Sequence, residues 1–225
     1  MLDTEPLISS TKDTCVRPVS VLLIYPSTSD VAVANLGFQR VYDLLGRING
    51  VTCDRFSLPE DWTPDTLTLN SDQLRSQNLN WAIHDFDMIA FSISFEPDYL
   101  NAVTLLRYFN LPLARTARGK GHPMVVAGGS ALFINPEPLA DILDLCFIGE
   151  AEGMIEQFFK LYTDNDWTDP SELYEPASRI TGIYIPEFYH PVYDGARQTD
   201  LKSDPRFPTR IARHWVPAGS PDLCT

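Results

Sequence analysis

The chain has 225 residues, 44% of them hydrophobic, and 30 Asp and Glu against 17 Lys and Arg give a formal net charge of −13. This length supports one sizeable hydrophobic core. A surface this negative repels the phosphate backbone of nucleic acids, which argues against nucleic-acid binding by this piece alone. No segment approaches the roughly 20 apolar residues of a membrane span, and the N-terminus lacks the basic start and apolar core of a secretory signal. We therefore expect a cytoplasmic protein that does not bind membranes.

Apolar runs alternate with helical patterns after a flexible lead-in over residues 1–18. Continuous apolar runs are typical of strands buried on both faces of a parallel sheet, and they predict strands over residues 19–25, 51–58, 88–95, 124–127 and 145–148. Apolar residues at helical spacing predict helices over residues 36–45, 97–108, 138–143 and 152–162, and leave a helix open near residues 72–83. Asn35 is a candidate N-cap of the first of these helices. The order predicts an α/β domain over residues 19–162 with a doubly wound, mostly parallel five-stranded, Rossmann-like sheet.

The character of the sequence changes after residue 162. Residues 163–178 contain Asp and Glu but no Lys or Arg, and two prolines lie among them, which predicts a solvated acidic linker. Residues 182–194 are aromatic and extended and predict a β-hairpin. We expect residues 163–225 to form an irregular extension that packs on the α/β domain or on sequence outside this chain.

A ligand edge is predicted where the parallel strands end. Right-handed crossovers bring the carboxyl ends of such strands to one edge, and ligands of open α/β sheets bind there. Glycine turns at residues 128–130 and 149–153 follow two adjacent strands, and glycine lets a ligand approach the backbone closely. The residues predicted to frame the site are Asn35, Ser94, Glu96, Gly128, Gly129, Ser130, Asn135, Gly149, Glu150 and Glu152.

Each of these features also has a purely structural explanation. Glycine in the first turn is also explained by the tight connection from strand to helix. The acidic residues of the second turn are also explained by a favourable interaction with the helix dipole. Ser94 can form a hydrogen bond to the backbone. No histidine is predicted at this edge, and a basic cluster over residues 115–122 falls at the opposite one, where we expect a solvated loop. We assign no catalytic residue and no metal ligand, since phosphate-loop, HExxH and GxSxG motifs are absent.

The four cysteines are far apart in the sequence, which argues against a zinc site and against a disulfide scaffold. Cys53 and Cys146 lie inside apolar segments. We expect both to be small buried hydrophobic residues.

Several spaced segments resemble, in order, the N-terminal cobalamin-binding-type domain of radical S-adenosylmethionine (SAM) proteins. The resemblance covers about residues 19–215. It rests on residues 35–39, 91–96, 127–130, 135–141 and 147–152, and it continues at residues 184–189.

The resemblance implies an α/β domain that seats cobalamin across the carboxyl ends of the strands of a larger enzyme, commonly for methyl transfer. It also implies a second domain, in which a CxxxCxxC motif holds a [4Fe–4S] cluster that cleaves SAM. This chain contains no CxxxCxxC. We therefore expect a piece of a longer protein that is not catalytic alone and whose partner is its own radical domain, rather than a natural stand-alone protein.

The chain departs from the pattern of cobalamin-binding domains in a second way. The DxHxxG motif of methionine-synthase-type modules, whose histidine binds cobalt, is absent, and loop 26–37 contains no histidine. The main alternative is a degenerate binding or interaction module that positions a substrate or a partner without a corrinoid. Bulky side chains in loops 26–37 and 94–97, Phe95 among them, would favour it. An independent nucleotide- or sugar-binding enzyme is disfavoured by the absent phosphate loop.

Overall fold

A computed structural model of the chain describes residues 18–60, 62, 74–165, 167 and 169–217. The lead-in predicted up to residue 18 lies outside the described residues except for Pro18. The first part of the helix left open near residues 72–83 also lies outside them.

A twisted sheet of six strands forms the centre of the described structure, in the order β2-β1-β3-β4-β5-β6. The first five are parallel to one another and β6 is antiparallel to β5. The strands are β1 (Val19–Thr28), β2 (Val51–Leu58), β3 (Met88–Ser92), β4 (Met124–Gly128), β5 (Leu145–Phe147) and β6 (Ile183–Tyr184). The predicted α/β class and the five parallel strands are confirmed. The sixth strand comes from the segment predicted as a hairpin.

Helices cover both faces of the sheet, as right-handed crossovers require. Residues of β1 alternate between the two hydrophobic cores, so that Leu22 packs in one and Leu23 in the other. The α-helices are α1 (Ser29–Ala34), α2 (Leu36–Arg47), α3 (Asp98–Tyr108), α4 (Ser130–Ile134), α5 (Met154–Thr163) and α6 (Tyr174–Ala177). Short 3₁₀ turns occur at Ile83–Asp85, Arg115–Ala117, Glu137–Leu139, Pro170–Leu173 and Pro186–Phe188.

One helix prediction is wrong, and the helix left open near residues 72–83 does not form over residues 74–82. The helix expected over residues 138–143 is only the 3₁₀ turn Glu137–Leu139, followed by a turn in which the N–H groups of Ile142 and Leu143 both donate to the carbonyl of Leu139. Residues 74–82 contain no helix either. A turn there is held by the buried carboxylate of Asp54, which accepts hydrogen bonds from the backbone N–H groups of Asn78 and Leu79.

The segment after α5 packs partly on the sheet. Leu173, Tyr174 and Ala177, inside the stretch predicted as a solvated acidic linker, are buried in the core that also contains α5. The hairpin exists, with strands β7 (Tyr189–Asp194) and β8 (Arg197–Ser203); β7 lies within the predicted range 182–194, and β8 lies beyond it.

The amino-terminal edge of the sheet is held together by a buried ion pair. Arg118 donates from Nη2 to Oδ2 of Asp144 at 2.9 Å, and both side chains are almost fully buried. Asp144 also accepts hydrogen bonds from the backbone N–H of Val125 at 2.7 Å and from the hydroxyl of Tyr174 at 2.8 Å. Burial and the neighbouring Asp144 raise the pKa of the Tyr174 phenol, which therefore stays a donor. This network joins β4, β5 and α6, so Arg118 is not part of a solvated basic loop.

Candidate functional site

A cavity of about 430 Å³ lies on one face of the sheet, beneath α2 and α5, and it reaches the carboxyl ends of β3 and β4. Its volume falls within the range of about 300–1,000 Å³ typical of small-molecule pockets. The floor and walls are mainly apolar. They are formed by Val21 and Leu23 of β1, Met88 and Ala90 of β3, Val126 of β4, Val41 and Leu45 of α2, and Ile155 and Phe159 of α5.

Polar side chains gather where the strands end, at the mouth of this cavity. Asn35 caps α2 as the sequence suggested, with its Oδ1 accepting from the N–H of Phe38 at 2.8 Å. Its amide nitrogen donates to Oγ of Ser94 at 3.1 Å and to the hydroxyl of Tyr25 at 3.3 Å. Ser130 Oγ donates to the carbonyl of Ser94 at 2.9 Å. Loops from three strands are therefore joined at one point.

An ion pair links the two helical sides of the cavity. Arg40 of α2 donates from Nε to Oε1 of Glu152, in the loop before α5, at 3.0 Å. Both residues line the cavity, and the Glu152 side chain is 12% exposed. Glu152 lies directly before Gly153, the N-cap of α5, so the helix dipole also favours its charge. The ion pair adds a second role, because it fixes α5 to α2 across the cavity.

Two of the glycines are required by the protein's own packing. A Cβ on Gly129, which has φ +120°, would lie 2.3 Å from the carbonyl oxygen of Ile93. A Cβ on Gly149, with φ +133°, would lie 2.3 Å from the carbonyl oxygen of His214. Neither position tolerates a side chain, whether or not a ligand binds. Gly128 differs, since its Cβ would lie 3.4 Å from the Phe147 Cβ.

A strap, residues 211–216, crosses the sheet edge at the end of β5. His214 forms a parallel bridge with Gly149, and its Nδ1 lies 3.0 Å from the carbonyl oxygen of Glu150. The carboxylate of Glu150 accepts from the backbone N–H of Val216. Arg213 stacks 4.7 Å above the ring of Phe133. The expectation that no histidine lies at this edge is wrong, because a tertiary contact brings His214 there from far along the chain.

Eight of the ten residues predicted from the sequence line this one cavity, namely Asn35, Ser94, Gly128, Gly129, Ser130, Gly149, Glu150 and Glu152. Glu96 and Asn135 do not. Glu96 is exposed on the loop before α3, and Asn135 caps a turn by accepting from the N–H of Glu137 at 3.1 Å. Sequence reasoning missed Arg40, although its spacing of three from Gly37 would have placed both on one side of a helix.

A second buried carboxylate lies at this edge, on the first turn of α3. Asp98 is 7% exposed, and its Oδ2 has no hydrogen-bond partner among the described residues. Burial raises the pKa of this carboxyl, and the amide of Asn101 only partly opposes the effect. A charge held here would be poorly solvated.

The described residues contain no group of three or more His, Cys, Asp or Glu side chains that could hold a metal ion. Cys146 is buried and Cys53 is half-buried, and both are free thiols. Burial raises the pKa of Cys53 to about 12 and raises that of Cys146 as well. Their expected role as inert packing residues agrees with this. No helix among the described residues is long and apolar enough to cross a membrane.

Comparison with known families gives one match. The family described as radical SAM proteins, N-terminal, matches residues 37–186, about two thirds of the chain. This range includes every residue predicted for the site except Asn35, as well as most of α2 and all of α5. No curated protein and no solved structure matches the chain.

Proposed function

This chain belongs to the family of radical SAM protein N-terminal regions, and from that premise we propose that it binds a corrinoid at the carboxyl edge of its sheet and presents it to the radical domain of the same enzyme. Family membership makes the chain part of a larger radical SAM enzyme, whose catalytic domain uses SAM and an iron–sulfur cluster. The corrinoid, its use in methyl transfer and the partnership with the radical domain are the proposal.

One observation carries the proposal: an apolar cavity leads from the polar strand ends into the face of the sheet. The mouth offers donors and acceptors on Ser94, Ser130 and Asn35, together with backbone at Gly128 that no Cβ covers. The floor behind the mouth is made of Ala90, Val126 and similar side chains. A ligand with a broad polar rim and an apolar branch suits this combination, because the rim can hydrogen-bond while the branch leaves water.

The apolar floor would take the aromatic base that ends the nucleotide branch of such a cofactor, and Ser94, Ser130 and Asn35 at the mouth would donate to its phosphate and amide groups. Loop 26–37 supplies no histidine to cobalt. When bound, a corrinoid supplies a cobalt centre that can accept and pass on a methyl group. The side chains of this chain would have a holding role. Ser94, Ser130 and Asn35 would fix the rim, and the Arg40–Glu152 pair would close α2 against α5 over the apolar branch.

The test is retention of hydroxocobalamin by the purified full-length protein, read from the visible spectrum after gel filtration. We expect co-elution near one to one. Ala90→Leu, which fills the cavity floor, should abolish retention, whereas Ala90→Ser, which leaves the space open, should preserve it. Retention by Ala90→Leu, or no retained colour with the natural protein at high micromolar ligand, would refute the proposal.

A corrinoid-free module that positions a substrate or the radical domain is the second candidate. Two observations favour it. Phe95 projects from loop 94–97 and is 58% exposed at the edge where a corrin ring would lie, and the strap already occupies Gly149 and Glu150. Absence of cobalamin retention by the full-length protein, with the fold intact, would select this candidate.

A further inference from the structure

An unpaired guanidinium lies at the mouth of the cavity. Arg213 is exposed on the strap, and within the described part of the chain its side chain forms neither a hydrogen bond nor an ion pair. Its guanidinium carbon lies 4.7 Å from the centre of the Phe133 ring and 5.2 Å from that of the Trp215 ring. Phe133 is half-buried and lines the cavity. Arg213 is therefore separated from the cavity by one aromatic ring.

The strap holds Arg213 in place before any ligand binds. The backbone N–H and carbonyl of the next residue, His214, are both bonded to the segment 148–150, and the N–H of Val216 donates to the carboxylate of Glu150. Stacking against two aromatic rings also restricts the arginine side chain. Because the side chain is already ordered, a ligand that binds it loses less conformational entropy.

The charges at the mouth favour an anion at Arg213. Arg40, the basic residue in the cavity lining, is paired with Glu152, and the carboxylate of Glu150 is bonded to the strap. With a formal net charge of −13, the chain repels anions except where positive charge is uncompensated. Stacking occupies the faces of the Arg213 guanidinium and leaves its edge free. That edge is a planar fork of N–H donors, which matches the geometry of a phosphate.

We infer that Arg213 binds the phosphate group of the ligand that occupies the cavity. The inference rests on the proposed function for the identity of that ligand. In a cobalamin, a phosphodiester joins the corrin side chain to the nucleotide base, so a base on the apolar floor leaves the phosphate at the mouth, where Phe133 forms part of the wall. The strap then contributes a ligand contact in addition to covering the end of β5.

Arginine modification of the full-length protein tests the inference. Phenylglyoxal is applied with and without saturating hydroxocobalamin, and the rate at each arginine is followed by peptide mass spectrometry. Arg197, exposed on the hairpin, is the internal control. We expect hydroxocobalamin to slow modification of Arg213 about tenfold and to leave Arg197 unchanged. Cobinamide, which lacks the phosphate and the base, should not protect Arg213. Equal protection by both corrinoids, or no protection by retained hydroxocobalamin, would overturn the inference.

Inorganic phosphate separates the failure of this inference from the failure of the proposed function. If hydroxocobalamin is not retained, the corrinoid proposal fails, and the modification is repeated with inorganic phosphate against chloride at equal ionic strength. Saturable protection of Arg213 without protection of Arg197 supports a phosphate-binding role toward another ligand. Equal rates at the two arginines with and without phosphate would refute that role.

A pair of variants gives a second measurement. In Arg213→Gln we expect the Kd for hydroxocobalamin to rise about tenfold. Arg210→Gln, which changes another exposed arginine close to the strap, is the matched control and should leave the Kd unchanged. Thermal unfolding of both variants should match that of the natural protein, because both side chains are exposed. An unchanged Kd in Arg213→Gln contradicts the inference.

Discussion

The two edges of the sheet use polar groups in opposite ways. At the amino edge, Asp144 accepts from Arg118, Val125 and Tyr174, so the protein itself occupies its carboxylate. At the carboxyl edge, the buried carboxylate of Asp98 has an oxygen without a partner among the described residues, and hydrophobic side chains point outward. Both edges belong to the same strands, so strand sequence alone does not produce the contrast. The contrast concerns these two carboxylates and not the openness of the edges, because a cavity of about 470 Å³ also lies at the amino ends of β1, β3 and β4.

The comparison separates residues that maintain the fold from residues available for binding. Asp144 has both carboxylate oxygens occupied by the protein, although Nε of Arg118 has no hydrogen-bond partner among the described residues, and losing a member of such a buried network is costly. An edge with unpaired groups, an open cavity and apolar side chains is less favourable for the isolated domain, and such places concentrate at functional sites. Changes at the two edges should therefore differ in size and even in sign.

The largest effect is expected at the amino edge. Asp144→Ala leaves Arg118 buried without its partner and removes the acceptor of the Val125 N–H and the Tyr174 hydroxyl. We expect a loss of about 3–5 kcal/mol in the free energy of unfolding, measured by urea denaturation followed by circular dichroism. Asp141→Ala, three residues earlier and exposed, is the control and should change stability by less than about 0.5 kcal/mol. Equal effects of the two variants would contradict the buried network.

A smaller effect is expected from glycine at the carboxyl edge. Gly129→Ala places a methyl group against the carbonyl of Ile93 at a backbone conformation that L residues rarely adopt, and should cost about 2–3 kcal/mol. Gly128→Ala adds the same methyl group at an ordinary contact distance from Phe147, so stability should change little, while ligand retention falls because the backbone at the cavity mouth is covered. Thermal unfolding and cobalamin retention are measured on both. Similar stability of the two variants would remove the distinction between a packing glycine and a binding glycine.

The smallest effect is expected from Asp98, with the opposite sign to Asp144. Asp98→Asn removes a poorly solvated charge and should raise the free energy of unfolding by about 1 kcal/mol at neutral pH. Because the pKa of Asp98 is raised in the folded protein, its proton is held more tightly there than in the unfolded chain. The advantage of Asn should therefore vanish below about pH 4, where the carboxyl is neutral in both states, and grow as pH rises toward the folded pKa. Urea denaturation between pH 3 and about pH 7 measures it, and an advantage independent of pH would show that Asp98 does not carry the effect.

Much of the fold was predictable because it depends on local pattern. The apolar runs beginning at Val19, Val51, Met88, Met124 and Leu145 gave the five parallel strands, and Asn35 capped its helix as expected. The failures occurred where distant groups decide local structure. The turn over residues 77–79 forms because Asp54, more than twenty residues earlier, holds its backbone N–H groups. No periodicity within residues 74–82 encodes that contact.

The candidate site also has a part that the sequence predicted and a part that only the tertiary structure revealed. Parallel strands and right-handed crossovers bring all carboxyl ends to one edge, so the strand pattern was enough to gather Asn35, Ser94, Ser130 and Glu150 there. Only the tertiary structure revealed that Gly129 and Gly149 are glycines because Ile93 and His214 approach them. Glycine at a strand end signals a close approach in the sequence, but the approaching atoms can belong to a ligand or to the protein.

The sequence by itself determined the α/β class, the parallel strands and the sheet edge at which the candidate site residues gather, since these follow from hydrophobic periodicity and the handedness of crossovers. The tertiary structure alone decided the cavity beneath α2 and α5, the strap on β5 and the buried network around Asp144. Each of these depends on residues far apart in the chain meeting in space. Side-chain packing between such residues is not encoded in the spacing of either segment.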